Sequence, residues 1–347
     1  MLYQSNNPHG GDRYAHPVEL DFSVNTNPLG PPEGVVRAVE ESAGLLDRYP
    51  DPHCRALVRA LADFEGVPEA VILCGCGAAE VIFSFCGTLR PRRALETAPT
   101  FSEYRSALEA AGCVVERYPL AEENGFALTD RFPEFLLKND YDAVFLCNPN
   151  NPTGRVIHPA LLEDIRLVCQ KKGVWLFVDE CFLDLAEGGQ SLRSRLGPGE
   201  KLFLLRAFTK TFSMAALRLG YGLCGDSGLL AEMARRSQPW NVSLPAQLAG
   251  TAALEDLDYL VRSRALIRAE RRYLAAALEA LGLQVCPSDA NYLLFRGPAD
   301  LKEQLLVRVI LIRDCSNYRG LGPGWYRAAV KLPEENRRLA EALRHIL

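Results

Sequence analysis

The chain has 347 residues, 48% of them hydrophobic and 24% charged, with a formal net charge of −4 at pH 7. That length implies two lobes rather than one core, and the mild acidity speaks against a nucleic-acid partner. No apolar run reaches the ~18 residues of a membrane span. The opening "MLYQSNNPHGGDRY" has no apolar centre of a secretion signal, so a cytoplasmic protein is expected. The 11 cysteines, an odd number scattered through strand-like runs, read as buried free thiols. Cys74 and Cys76 have no second Cys/His pair at ligand spacing, so no metal is expected.

The first thirty residues are rich in loop signals, "NPHGG" and "NTNPLGPP", and read as an arm wrapped over something. Strand-like runs then follow: "AVILCG", "RRALETA", "VVERYPL", "DAVFLCNP", "VWLFVDE", "KLFLLRAF" and "LGYGLCG". Between several of them lie amphipathic stretches, "AAEVIFSFCGTL", "FSEYRSALEAAG" and "PALLEDIRLVCQKKG". This alternation predicts an α/β domain with a mainly parallel sheet covered on both faces. After "SQPWNVSLP" the texture changes to a long charged helical stretch from Ala246 to Gly282. Two strand-like runs, "ANYLLFRG" and "RVILIRD", and a terminal helix, "PEENRRLAEALRHIL", complete a smaller α+β lobe. The expected division is an arm over 1–30, a large domain over 31–240 and a small domain over 241–347.

Ligands of an open parallel sheet collect beyond the carboxyl ends of its strands, so the residues placed there carry the functional reading. "VILC" runs into "GCGAAEVIF", a glycine turn opening a helix, where unpaired N–H groups suit a phosphate. "VFLC" ends in "NPNNPTG", which puts Asn151 before a proline turn. "WLFV" ends in Asp179 and Glu180, where a carboxylate is either a helix cap or the partner of a buried cation. "LFLLRAF" ends in Thr209 and Lys210, and "RLGYG" supplies Arg218. Taken singly, Lys210 is equally well a solvated lysine at a strand–helix junction. Taken together, these groups match the needs of one cofactor, pyridoxal 5'-phosphate. A desolvated lysine attacks its aldehyde, and a buried aspartate keeps its ring nitrogen protonated.

The motifs "NPNNPTG", "VDE", "TKTF" and "LRLGYG", in this order and spacing, resemble fold-type I pyridoxal-phosphate enzymes of the aspartate aminotransferase superfamily. Within it, "NTNPLGPP", "RYPDP", "PTFSEY" and "GCGAAE" are similar to the branch holding histidinol-phosphate aminotransferases and L-threonine-O-3-phosphate decarboxylases. The two ends, with "HGG", "DFSVNTNPLG", "ILIRDCSNYRGL" and "WYRAAVK", resemble the decarboxylases. The resemblance covers nearly the whole chain and implies a homodimer with shared active sites. It implies that Lys210 forms the Schiff base, that Asp179 faces the ring nitrogen, that Asn151 meets the ring 3'-oxygen and the substrate, and that Tyr104 stacks on the ring. The backbone at Gly77, Ala78 and Ala79, with Thr209 and Arg218, would hold the cofactor phosphate, and Tyr49 would reach it from the neighbouring subunit. Arg327 would clamp the substrate α-carboxylate, and His9, Asn27 and Arg313 would meet a substrate phosphate.

Some positions depart from the family pattern. Ala78, Ala79 and Ala207 stand where relatives often carry hydroxyl or carboxyl side chains, so backbone N–H groups carry more of the phosphate here. Phe182, in "DECF", replaces the tyrosine that usually meets the ring 3'-oxygen in aminotransferases, as in the decarboxylase relatives. The implied substrate is a small phosphorylated amino acid. L-threonine O-3-phosphate would give (R)-1-amino-2-propanol O-2-phosphate, a building block of the cobalamin nucleotide loop. L-serine O-phosphate would give ethanolamine phosphate, and one methyl separates the two by only ~1–3 kcal/mol. The alternative is transamination of histidinol phosphate. A transcription regulator built on this fold is not expected, because the chain starts straight into these motifs without a basic helix-turn-helix.

Overall fold

The structure is a computed structural model that describes residues 9–347; the first eight residues of the arm lie outside the described part. The seven strand-like runs of the large lobe form one seven-stranded sheet. Its spatial order is Ile72–Gly75, Gly220–Cys224, Leu202–Ala207, Trp175–Asp179, Ala143–Cys147, Arg93–Ala98 and Val114–Pro119. Gly220–Cys224 alone runs against its neighbours. The three central strands are buried at every position, which is why they read as continuous apolar runs rather than alternating ones. Alternate side chains feed two cores. On one face Phe177 stacks between Phe145, at 4.7 Å, and Phe203, at 5.3 Å, and Phe85 from helix Gly77–Leu89 packs over all three. On the other face Val144, Leu176 and Leu204 meet helices Arg55–Glu65 and Pro159–Lys172.

The small lobe is a four-stranded antiparallel sheet ordered Arg313–Asp314, Trp325–Ala329, Tyr292–Arg296 and Gln284–Val285, backed by helices Tyr259–Ala280 and Pro333–Arg344. Two details depart from the sequence reading. "RVILIRD" is not one strand: Ile310–Leu311 pairs in parallel with Leu20–Asp21 of the arm, while Arg313–Asp314 joins the antiparallel sheet. The helical stretch from Ala246 to Gly282 is two helices. The first, Leu244–Ala253, buries Ala246, Ala249 and Ala253 in the large-lobe core, so a small domain beginning at 241 takes in a helix that belongs to the large one. Among the described residues no helix is long and apolar enough to cross a membrane, and no cluster of three or more His, Cys, Asp or Glu is placed to hold a metal. All eleven cysteines are free.

Beneath the strand ends lies a buried charge network. Arg206 points away from the face that Ala207 lines. Its Nε and Nη2 donate to Glu65 Oε1 and Oε2 at 3.1 and 3.2 Å, and its Nη1 lies 3.2 Å from Asp184 Oδ1 and 3.8 Å from Glu180 Oε2. Burial alone would raise Glu65, but Arg206, with help from the Tyr221 hydroxyl and Arg193, outweighs it and holds the carboxyl below its ordinary range. Glu180 is pushed up to about 7, because burial wins there over Arg206. Removing the cation takes the one shared partner from three carboxyl groups, leaving Glu65 with Arg193 and the Tyr221 hydroxyl and Glu180 with Ser191 and the Leu192 N–H. Arg206→Leu is expected to cost about 3–5 kcal/mol in denaturant-unfolding free energy, and the double variant with Glu65→Leu should recover part of that loss. A single-variant cost under about 1 kcal/mol would show that the network is not holding these strand ends.

Candidate active site

A cavity of about 340 Å³ opens where the central strands end, between the two lobes. Asp179 closes its strand at the cavity floor. Its Oδ2 accepts from the Tyr104 hydroxyl at 2.5 Å and its Oδ1 from the Cys181 N–H at 2.9 Å. Burial still outweighs these bonds and raises the carboxyl above its usual range. On the next strand the chain turns into the short helix Phe208–Thr211, which points Lys210 into the cavity. Its Nζ stands 5.6 Å from the centre of the Phe182 ring. Burial first, then Arg327 and Arg218, pushes the amine down to about 8.

The phosphate cradle is built on a glycine. Gly77 opens helix Gly77–Leu89 at φ +82°, and a Cβ there would sit 2.6 Å from Arg218 Nη2. Only glycine allows both that backbone and that approach. Gly220 serves the same end from below, since a Cβ on it would lie 2.6 Å from the Ala78 nitrogen. Ala78, Ala79, Thr209 and Arg218 line the adjoining wall. The helix start therefore offers N–H groups and a guanidinium to one anion, with no carboxylate or hydroxyl at positions 78 and 79 to share the task.

The small lobe and the arm form the roof. Arg327 is 6% exposed; its Nη1 donates to Asn151 Oδ1 and its Nη2 to the Ser23 carbonyl at 2.8 Å, while its buried Nε has no hydrogen-bond partner. Arg313, 8% exposed, donates through Nη1 to its neighbour's carbonyl, Asp314 O, and through Nη2 to Asn317 Oδ1 at 2.8 Å, with its guanidinium 5.4 Å from the Tyr318 ring centre. His9 lies across the mouth, its Nε2 2.9 Å from Glu103 Oε1.

Two expected site residues stand elsewhere. Asn27 does not line the cavity: its Nδ2 donates to the Thr211 carbonyl and Ser263 Oγ, and its Oδ1 accepts from the Leu29 N–H, so it fastens the arm behind Lys210. Asn25, two residues earlier, lines the cavity instead, with a buried Oδ1 that has no partner. The motif "SVNTN" holds both asparagines, and only the path of the arm decides between them. Tyr104 is fully buried among Phe101, Phe145 and Phe177 and holds Asp179 from behind, while Phe101 lines the cavity. Tyr49 is 78% exposed, packs on Trp240 at 4.7 Å, and is not among the residues lining its own chain's cavity. Glu103 and Tyr318 are cavity residues that sequence reasoning missed.

The family model described as Aminotransferase class I and II matches residues 17–343. The chain is 40% identical over 332 residues to the threonine-phosphate decarboxylase of Salmonella typhimurium, covering 94% of this chain and 91% of that protein. It is 33% identical to the histidinol-phosphate aminotransferase of Methanosarcina mazei, over 93% of this chain and 87% of that protein. The crystal structure of the histidinol-phosphate aminotransferase from Clostridium acetobutylicum superposes with a TM-score of 0.87 at 28% identity, covering 94% of this chain and 98% of that one.

The cavity fits pyridoxal 5'-phosphate on its own evidence: a cradle that any Cβ would fill, a buried carboxyl facing the same space as a buried amine, and an amine moved toward neutrality. An amine must be neutral to attack an aldehyde. With Lys210 down to about 8, adduct formation by the apoprotein with pyridoxal 5'-phosphate is expected to rise about tenfold per pH unit below pH ~7.5 and to level off above pH ~8.5. Borohydride trapping followed by peptide mass spectrometry measures it. A rate still climbing tenfold per unit at pH ~10, as an ordinary lysine would give, or an undiminished adduct in Lys210→Ala, would remove Lys210 from this role.

Proposed function

Since the chain belongs to the aminotransferase class I and II family, whose chemistry is that of pyridoxal 5'-phosphate, we propose that it is a carboxy-lyase acting on L-threonine O-3-phosphate. The products are CO₂ and (R)-1-amino-2-propanol O-2-phosphate, the amino-alcohol unit of the cobalamin nucleotide loop. One observation carries the substrate class. Arg313 and Arg327 are directly paired across antiparallel strands, and both line the cavity. Like charges directly opposite each other are unfavourable, so two buried guanidiniums in register call for a ligand with two anionic groups. A phosphorylated amino acid has a carboxylate and a phosphate. The 40% identity to a threonine-phosphate decarboxylase supports the same reading.

The residues divide the work as follows. Gly77, Ala78, Ala79, Thr209 and Arg218 would hold the cofactor phosphate, Asp179 would keep the ring nitrogen protonated, Asn151 would address the ring oxygen and Lys210 would be the amine that the aldehyde meets. When bound, the cofactor supplies a sink for the electrons released at the substrate Cα. Arg327 takes the α-carboxylate, and Arg313 with His9 takes the phosphate. Two anchors at opposite ends of the substrate fix the torsion about Cα, and that torsion selects C–COO⁻ over C–H cleavage. Phe182 packs edge-on to Tyr292 at 5.0 Å and brings no hydroxyl to this wall. Lys210 lines the same cavity as Arg327 and in its ammonium form would supply the proton that takes the place of CO₂ at Cα.

The exposed Tyr49, tilted against the half-exposed Trp240 and three residues after the 80% exposed Leu46, offers apolar surface that a second copy would cover. The active assembly is a homodimer in which Tyr49 of each chain serves the other's cofactor phosphate. Mixed Tyr49→Phe and Lys210→Ala proteins would then form heterodimers with one site free of both lesions, and decarboxylation should recover at that site. No recovery after verified subunit exchange would refute sharing.

Mass-spectrometric product analysis with threonine phosphate, serine phosphate and histidinol phosphate plus 2-oxoglutarate, side by side, tests the reaction. Only CO₂ loss from a phospho-amino acid is expected; amino transfer from histidinol phosphate would overturn the reading. In the same assay Arg313→Ala is expected to lower kcat/KM for threonine phosphate by about 30- to 1000-fold, the loss of a buried charge-assisted contact worth ~2–4 kcal/mol. Free threonine has no phosphate to lose and should be nearly unaffected. Equal losses on both would assign Arg313 to the fold or the cofactor.

A further inference from the structure

We propose that the chain carries a second ligand site, beside the catalytic cavity, for a small zwitterion bearing an ammonium and a phosphate. A cavity of about 300 Å³ lies between strand Arg93–Ala98 with helix Glu103–Ala110 of the large lobe and the loop 317–319 of the small one. Phe101 and Tyr318 line both this space and the catalytic cavity, and so form the partition between them.

Its charges are of both signs. Glu96 is 4% exposed; its Oε1 accepts from Arg117 Nε at 3.0 Å, and its Oε2 is buried without a hydrogen-bond partner. A carboxylate oxygen in that position wants a donor, and a ligand ammonium is one. Arg105 engages Glu109 Oε1 through its Nε at 2.5 Å, as Arg117 engages Glu96, so the outer edges of both guanidinium forks are left for an anion. Arg319 adds a third cation on the small-lobe side. A plain anion would meet Glu96 and Glu109, and a plain cation would meet three arginines. A molecule with both charges, its tetrahedral dianion shared among arginines, satisfies each side.

The site is joined to the catalytic one through its loop. Asn317 accepts from Arg313, and Arg313 lies over the Tyr318 ring. A ligand gripping residues 317–319 therefore acts on the loop that orients Arg313. On the reading given above, the reaction's own aminoalkyl phosphate product is such a molecule, and the second site is where product would restrain further binding of substrate.

The test is calorimetric titration of the holoenzyme with O-phosphoethanolamine, and separately with inorganic phosphate and with ethanolamine, while the cofactor's visible absorption is followed. Expected is a class of site that binds phosphoethanolamine without changing that absorption and binds neither half comparably. Glu96→Gln and the exposed Arg319→Ala should each weaken it about tenfold or more. The proposal is overturned if no such silent site exists, if it is indifferent to Arg319→Ala, or if inorganic phosphate alone binds as tightly. Because binding needs no turnover, the result stands whether or not threonine phosphate is the substrate.

Discussion

Withdrawal from water at one sheet edge is the constraint on which the site depends. Asp179 and Lys210 come from neighbouring strands, and the same cause moves them in opposite directions, the acid up and the amine down. Neither shift comes from their own attraction, which ranks last among the influences on each. The Tyr104 hydroxyl and the Cys181 N–H keep the carboxylate aimed despite the cost of its burial. Both groups are left in states that a basic ring nitrogen and an aldehyde would relieve, which is preorganisation in its electrostatic sense.

That arrangement needs support from below and above. Below, Arg206 sits between carboxylates from three segments and ties the strand that leads to Lys210 to the one that ends at Asp179. The strand alternation that puts Ala207 on the cavity wall puts Arg206 on the opposite face. Above, Arg327 donates to the Ser23 carbonyl and to Asn151 Oδ1, and Arg313 donates to the Asp314 carbonyl and to Asn317 Oδ1, so these oxygens help to aim both guanidiniums.

Much of this was legible in the sequence because it is local. The buried central strands announce themselves as apolar runs, and the residue after each strand end is where a ligand meets a parallel sheet. Position therefore picked out Lys210, Asp179, Asn151, Arg218 and the Gly77 turn as a group, and the combination with the family resemblance, not position alone, gave them roles. What was not readable depends on contacts between distant segments. Asn25 and Asn27 differ only in how the arm is seated. Tyr104 has a strand-end motif typical of a wall residue, but its ring fits an aromatic core that three strands build together. Strand Trp325–Ala329, inside the small sheet, follows "GLGPG" and reads WYRAA, so the arginine it carries, Arg327, breaks the apolar run that would have signalled it. The break between Ala253 and Tyr259 was hidden because both helices are apolar on one stripe, and only packing shows that the stripes face different cores.

The seating of the arm has a consequence for how the molecule is made. Ser23 takes its hydrogen bond from Arg327, 304 residues away in the chain, and Leu20–Asp21 pairs with Ile310–Leu311. The arm therefore docks only after partners 304 residues further along the chain have emerged. At a translation rate of ~5–20 residues per second, about 15–60 s separates the emergence of the two partners. During that interval Leu20 and Phe22, which end in the small-lobe core, have nowhere to bury. The large lobe can collapse on its own strands meanwhile, since its sheet uses nothing before Ile72. The strands of the large sheet thus emerge before the small-lobe residues that roof the site.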